Sequence, residues 1–183
     1  PNGGKIWIPK QAQCGGDVDL IIMMHGHGSG IFMQGKIYKM VEKLIDEGKI
    51  RPVILAAPVS HHKKSPTTKG NQWPSSVYDI TTHIEKIKEK LTEYNLNIKS
   101  TSAIGHSAVN CYSNGGLRVV AKEKDLYLLG LMDPTCIQQY ASAHISAIEN
   151  KPTILFAVHG NAKPSDGKSF TKMMGDDPIN LME

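Results

Sequence analysis

The chain has 183 residues, 40% hydrophobic and 21% charged, with a formal charge of +4 at neutral pH; this length fits one domain with enough chain to bury a sizeable core, and the composition is that of an ordinary globular protein. The lysines are scattered, as at Lys86, Lys88 and Lys90, with only Lys63-Lys64 clustered, so there is no basic stripe with interleaved aromatics of the kind that binds nucleic acid. No segment approaches the ~20 consecutive apolar residues of a membrane span.

In chain order, Lys5–Pro9 (KIWIP) reads as a short strand, placed at a sheet edge by Pro9. Gln11–Asp17 is a polar turn. Leu20–Met24 is continuously apolar, as a strand buried on both faces of a parallel sheet must be. Ile37–Glu47 carries Ile37, Met40, Val41, Leu44 and Ile45 at helical spacing, with Gly48 as its C-cap. Pro52–Ala57 is the next buried strand, followed by a long loop, Pro58–Ser75, rich in His, Lys, Pro, Thr and Ser and containing Trp73. Loops of that length in a compact domain are usually functional or disordered. Val77–Tyr94 predicts a helix with Val77, Ile80, Ile84, Ile87 and Leu91 on one face, and Ser100–Gly105 a strand. Asn110–Lys122 predicts a helix blemished by Gly115-Gly116, Leu126–Met132 a strand ending in Asp133-Pro134, Cys136–Glu149 a helix and Pro152–Val158 a strand ending in His159-Gly160. A last short helix is expected over Ser169–Met174. Cys14, Cys111 and Cys136 are too few for a disulfide framework and lack zinc-site spacing, so free thiols are expected. The chain opens at Pro1 rather than Met, and Asp177–Glu183 reads like the start of another strand; the expectation is one domain, residues 1–183, excised from a longer chain.

Strands alternating with helices imply βαβ units and a parallel sheet with right-handed crossovers. In such sheets the site lies beyond the carboxyl ends of the strands. Those ends deliver His25 and His27, Ser60-His61-His62, His106-Ser107, Asp133 and His159 to one face.

Two motifs stand out. Ser102–Ile104 runs into Gly105-His106-Ser107-Ala108 and then a predicted helix, the context that holds a serine on a sharp elbow with its hydroxyl exposed. The turn needs a small residue two before the serine, and Gly105 supplies it. Leu20–Met24 ends in His25-Gly26-His27-Gly28-Ser29-Gly30, a glycine-rich loop able to turn backbone N–H groups towards an oxyanion. The bland readings are an N-cap for Ser107 and a flexible turn for the glycines.

Together the motifs resemble the α/β-hydrolase superfamily over about Lys5 to Gly160. The resemblance implies a three-layer α/β/α sandwich with a mainly parallel sheet of about six strands. It implies a serine hydrolase acting on a carboxylic ester, less readily an amide, without a cofactor. Ser107 would be the nucleophile, with backbone N–H groups of His27 and Ala108 forming the oxyanion hole. Val109 departs from the small residue usual two after the serine. The acid is assigned to Asp133, with Asp166 as fallback, because Lys163 stands where the later acid would be. For the base, two readings stay open: His159, which keeps the order Ser, Asp, His, or a histidine beyond Glu183. His144 is expected to be a surface or packing residue. His25, His61 and Trp73 are expected to contact substrate, with a carbohydrate-linked or aromatic ester as the class. Two other readings compete: a metal-dependent hydrolase using His25 and His27, or His61 and His62, with Asp133 and His159, and a non-catalytic binding module of a larger protein.

Overall fold

The structure is a computed structural model, and it describes residues 4–26, 37–58, 79–106, 109, 116, 120, 126–132 and 153–156. Its centre is the apolar run read above, extended at its front: β2, Gly16–Met24, follows a short edge strand β1, Gly4–Trp7, and a 3₁₀ turn at Lys10–Ala12. Helix α1 is Ile37–Asp46, β3 Val53–Pro58, α2 Ile80–Thr92, β4 Leu96–His106, β5 Leu126–Met132 and β6 Thr153–Phe156. The strands form one sheet in the order β1-β3-β2-β4-β5-β6. Every pairing is parallel except β1 with β3, where Gly4 faces Pro58 and Trp7 faces Leu55.

Alternation along β2 separates two apolar clusters. Val18, Leu20, Ile22 and Met24 pack with Ile54 and Ala56 of β3 and with Ile80, Ile84, Ile87 and Leu91 of α2. Ile21 and Met23 lie instead with Val53 and Leu55 of β3 and with Ile37, Tyr38 and Val41 of α1. Successive strand residues point to opposite faces, so α1 and α2 cover opposite faces of the sheet. A strand sandwiched in this way must be apolar on both sides, which is why β2 and β3 read as unbroken apolar runs. Leu20 and Ile22 are completely buried, each worth roughly 1.5–3 kcal/mol of transfer free energy.

The helix ends follow local chemistry. Asp79 caps α2, its carboxylate accepting from the N–H groups of Thr81 (3.0 Å) and Thr82 (3.4 Å) and from the Thr82 hydroxyl (2.6 Å). The helix therefore begins at Ile80 rather than at Val77. At the end of α1, Gly48 has φ +68°, its N–H reaches the Ile45 carbonyl, and the Lys49 N–H reaches that of Leu44. This pair of bonds is the Schellman stop expected of a C-terminal glycine.

Strand β4 starts at Leu96, four residues before the expected Ser100. The cause is a bulge. Val18 pairs with Ile98 but Asp19 pairs with Ser100, leaving Lys99 as an extra residue. One inserted residue exchanges the two faces. Leu96 and Ile98 face the α2 cluster before it; Thr101, Ala103 and Gly105 take the buried phase after it. No single period-2 pattern spans the strand, so its first half does not read as continuous with its second.

Candidate active site

Connectivity alone marks a place on this sheet. From β2 the chain passes through α1 to β3 on one side, then through α2 to β4 on the other side of β2. The order reverses between β2 and β4, and ligands of open α/β sheets bind at such a reversal, beyond the carboxyl ends of the strands. The strand ends there are level: Met24 pairs with Gly105, and His106 pairs with Met132, which pairs with Phe156.

At the end of β2, His25 is 3% exposed. Its Nδ1 lies 2.9 Å from the Gly26 carbonyl oxygen. A carbonyl only accepts, so Nδ1 carries the hydrogen and donates. His25, expected from the sequence to contact substrate and considered as a metal ligand, is thus buried, with Nδ1 engaged by its neighbour's backbone. At the end of β4, Gly105 is buried and His106 half-buried. The glycine two before Ser107 in the sequence is therefore enclosed.

Val109 is 1% exposed and Val120 fully buried, both in the α2-side cluster. Gly116 makes room for this arrangement. Its φ is +59°, and a Cβ placed on it would meet the Val109 carbonyl oxygen at 2.1 Å. The residue that reads as a blemish in a helix is a close-approach glycine, packed on the backbone two residues after Ser107. The signal for it was the glycine itself; its partner across the fold was not visible in the sequence.

Ser107, Ala108, Asp133 and His159, the loop residue His27, and His61, His62 and Trp73 lie outside the described residues. So do Asp166, His144, Cys111 and Cys136, and the bodies of the expected helices over Asn110–Lys122, Cys136–Glu149 and Ser169–Met174. Cys14 is a free, exposed thiol.

Among the described residues, a group of ion pairs and charged hydrogen bonds lies at the opposite end of the sheet. Asp17 accepts from Asn97 Nδ2 (2.9 Å) and faces Lys99 Nζ (3.2 Å); Asp19 accepts from Ser100 Oγ (2.7 Å) and faces Arg51 Nε (3.2 Å). The Asn97 hydrogen bond, then that of Lys99, hold the Asp17 carboxyl below the usual carboxylate value. These pairs tie β2, β3 and β4 together at their amino ends, around the bulge. Among the described residues, the carboxyl ends carry His25 and His106.

No protein-family model matches the sequence, and no curated protein matches it. Solved structures do. An acetyl xylan esterase from Aspergillus awamori is 11% identical at a TM-score of 0.56, over 92% of this chain and 72% of its own. A ferulic acid esterase from Anaeromyces mucronatus, in complex with ferulic acid, is 14% identical at 0.55, over 90% of this chain and 80% of its own. A thermostable esterase is 15% identical at 0.54, over 92% of this chain. This chain spans 46% of that esterase and 61% of a further ferulic acid esterase. At such identities the likeness is one of fold. The mixed sheet with its helices, and these neighbours, fit an α/β-hydrolase-like fold.

Proposed function

We propose that this chain is a three-layer α/β/α serine hydrolase that cleaves a carboxylic ester, with Ser107 as nucleophile, His159 as base and Asp133 as acid. The observation that carries the reading is the pairing of His106 with Met132 at the end of two adjacent parallel strands, beside the topological reversal. Ser107 and Asp133 are the next residues along the chain. Paired Cα atoms on adjacent strands are ~4.8 Å apart and successive Cα atoms ~3.8 Å, so the residues that follow two paired strand ends can lie no more than roughly 12.5 Å apart. One imidazole can span that gap and bond to both side chains.

In the proposed reaction Ser107 Oγ attacks the ester carbonyl carbon while His159 takes its proton. The tetrahedral oxyanion is held by the N–H groups of His27 and Ala108. Collapse breaks the bond to the alkoxy oxygen, which leaves as the alcohol with the proton from His159. Water, activated by the same imidazole, then cleaves the acyl-serine to release the acid and restore Ser107. Asp133 holds the imidazole in one tautomer and orientation.

The ester and its carrier are proposed from the neighbours. The solved structures it resembles include ferulic acid esterases and an acetyl xylan esterase, which supports an acetyl or aromatic acyl ester on a carbohydrate. Trp73 and His61 of the long loop are proposed to stack on the sugar or aromatic ring.

The test is hydrolysis of a small activated ester and labelling by a fluorophosphonate. Ser107→Ala should lower kcat by roughly 10⁶-fold and abolish labelling, with His159→Gln nearly as damaging, since triad members act as a unit. EDTA should leave turnover unchanged; loss restored by zinc favours the metal-dependent alternative. Near-normal turnover in the serine variant removes the assignment.

A further inference from the structure

Apolar patterning does not explain the register of β4. Leu96 and Ile98 lie with the α2-side cluster before the bulge; Thr101, Ala103 and Gly105 take that face after it, opposite Leu20, Ile22 and Met24. The buried positions beyond the bulge are thus a threonine, an alanine and a glycine, while Ser102, Ile104 and His106 are half-buried. A slip of one residue past β2 would remove the bulge. Asp19 would then stand opposite Lys99, Leu20 opposite Ser100 and Met24 opposite Ile104, and the phase of Leu96 and Ile98 would run on unbroken. Hydrophobicity favours that slip, because it sends Ile104 to the core face, and a polar, glycine-containing strand specifies its register weakly. Nor can β5 carry the phase across. It joins β4 only from Thr101 onward, and its own ladder is irregular there, with Leu126 paired to Thr101 and Leu128 to Ser102.

Side chains of β2 grip β4 on both sides of the extra residue. Before the bulge, Asp17 Oδ1 accepts from Asn97 Nδ2 (2.9 Å), and its Oδ2 faces Nζ of the bulge residue Lys99 (3.2 Å). After it, Asp19 Oδ1 accepts from Ser100 Oγ (2.7 Å), and its Oδ2 faces Arg51 Nε (3.2 Å), just ahead of β3. The Asp19 N–H also donates to the Pro52 carbonyl at 3.0 Å, so both its backbone and its side chain are tied to the start of β3. Asp19 is the more shielded carboxylate, with its side chain 26% exposed against 56% for Asp17. Shielding raises the worth of a charge-assisted bond, and exposure lowers it. After the slip, Ser100 would leave the face of Asp19 for that of α2, and its bond to the carboxylate could not form.

We propose that Asp19 is a register clamp: its carboxylate, anchored on Arg51 and bonded to Ser100, holds the extra residue at Lys99 and so decides which face each residue from Ser100 to His106 presents. The clamp sits at the amino ends of the strands and acts at their carboxyl ends. One residue of slip exchanges the faces of Gly105 and His106, the last residues of β4, beside the reversal between β2 and β4. The clamp operates whichever reaction the chain performs, and its test needs no substrate.

Nuclear magnetic resonance of isotope-labelled protein reads the register through backbone contacts between paired residues. Wild type should show one set of signals, with Asp19 against Ser100 and Met24 against Gly105. Loss of a charge-assisted hydrogen bond shifts a two-state equilibrium by roughly ten- to a hundredfold. Asp19→Ala should therefore add a second set over Ser100–His106, with position 19 against Lys99 and Met24 against Ile104. Ser100→Ala removes the donor and keeps the carboxylate; it should show the same second set, and decides the matter where Asp19→Ala does not fold. Deleting Lys99 from either variant should restore a single set with position 19 against position 100, because Leu96 to Gly105 then alternate in one phase. A single wild-type register in either folded alanine variant means that the close packing of Ala103 and Gly105 sets the phase, and overturns the proposal. So does a second set that survives deletion of Lys99.

Discussion

Gly116 offers a perturbation whose size follows from its packing against Val109. In Gly116→Ala the new Cβ meets the Val109 carbonyl oxygen at 2.1 Å, where real Cβ contacts begin near 3.0 Å, so the two backbones must part by about 1 Å. The left-handed backbone at φ +59° adds its own cost, about 1–2 kcal/mol for a residue with a Cβ. Forcing apart a well-packed interior costs a further ~1–3 kcal/mol. The sum is about 2–5 kcal/mol, or a fall in Tm of roughly 5–20 °C for a chain of this length. Gly48→Ala is the control. Gly48 has φ +68° with nothing within 4 Å of a Cβ, so only the strain of about 1–2 kcal/mol applies. The excess loss at Gly116 over Gly48 measures the contact. Thermal unfolding followed by circular dichroism reads both. Under the proposed function the Gly116 variant should also lose up to ~10²-fold in ester turnover well below its Tm, because a shift of 1 Å near a nucleophile has about that effect; Gly48→Ala should not. Equal Tm values for the two alanine variants would refute the packing of Gly116 on Val109.

The N-cap of α2 predicts that Asp79→Ala costs about 1 kcal/mol in urea unfolding and Asp79→Asn only part of that; equal losses would mean that the carboxylate's charge matters and not its acceptor geometry. The Thr82 hydroxyl, ahead of the Thr82 and Thr81 N–H groups, holds the Asp79 carboxyl below its ordinary value of 3.8, so this contribution is present above that pH and lost as pH falls through the lowered value. Burial, reinforced by the Lys86 charge, holds the half-buried His83 below the ordinary histidine value of 6.5. The unfolded chain then binds the extra proton, so stability is present above pH 6.5 and declines as pH falls through the folded value. Tm should drop as pH falls below the ordinary histidine value of 6.5, and His83→Gln should flatten that slope relative to wild type; an unchanged slope assigns the dependence to other groups.

Much of the fold was legible because burial writes itself into composition. Leu20–Met24 and Val53–Ala57 had to be apolar on both faces, since α1 and α2 cover opposite sides of the sheet. Ile80, Ile84, Ile87 and Leu91 had to recur at helical spacing to reach that sheet. The motifs at the ends of β2 and β4 were equally plain, because a glycine after an apolar strand is a local signal. What stayed hidden depends on partners distant in the chain. The Lys99 bulge exists only relative to β2, so the expected strand began at Ser100 rather than at Leu96. Gly116 is needed only because the Val109 backbone lies against it, and nothing in the seven-residue spacing announces a 2.1 Å approach. His25 reads as a candidate ligand in one dimension, and only the fold shows it 3% exposed at the end of β2. Local periodicity is a property of one segment facing one environment, and the sequence determines it alone. Register and close approach are properties of pairs of segments, and they take definite values only when the chain has folded.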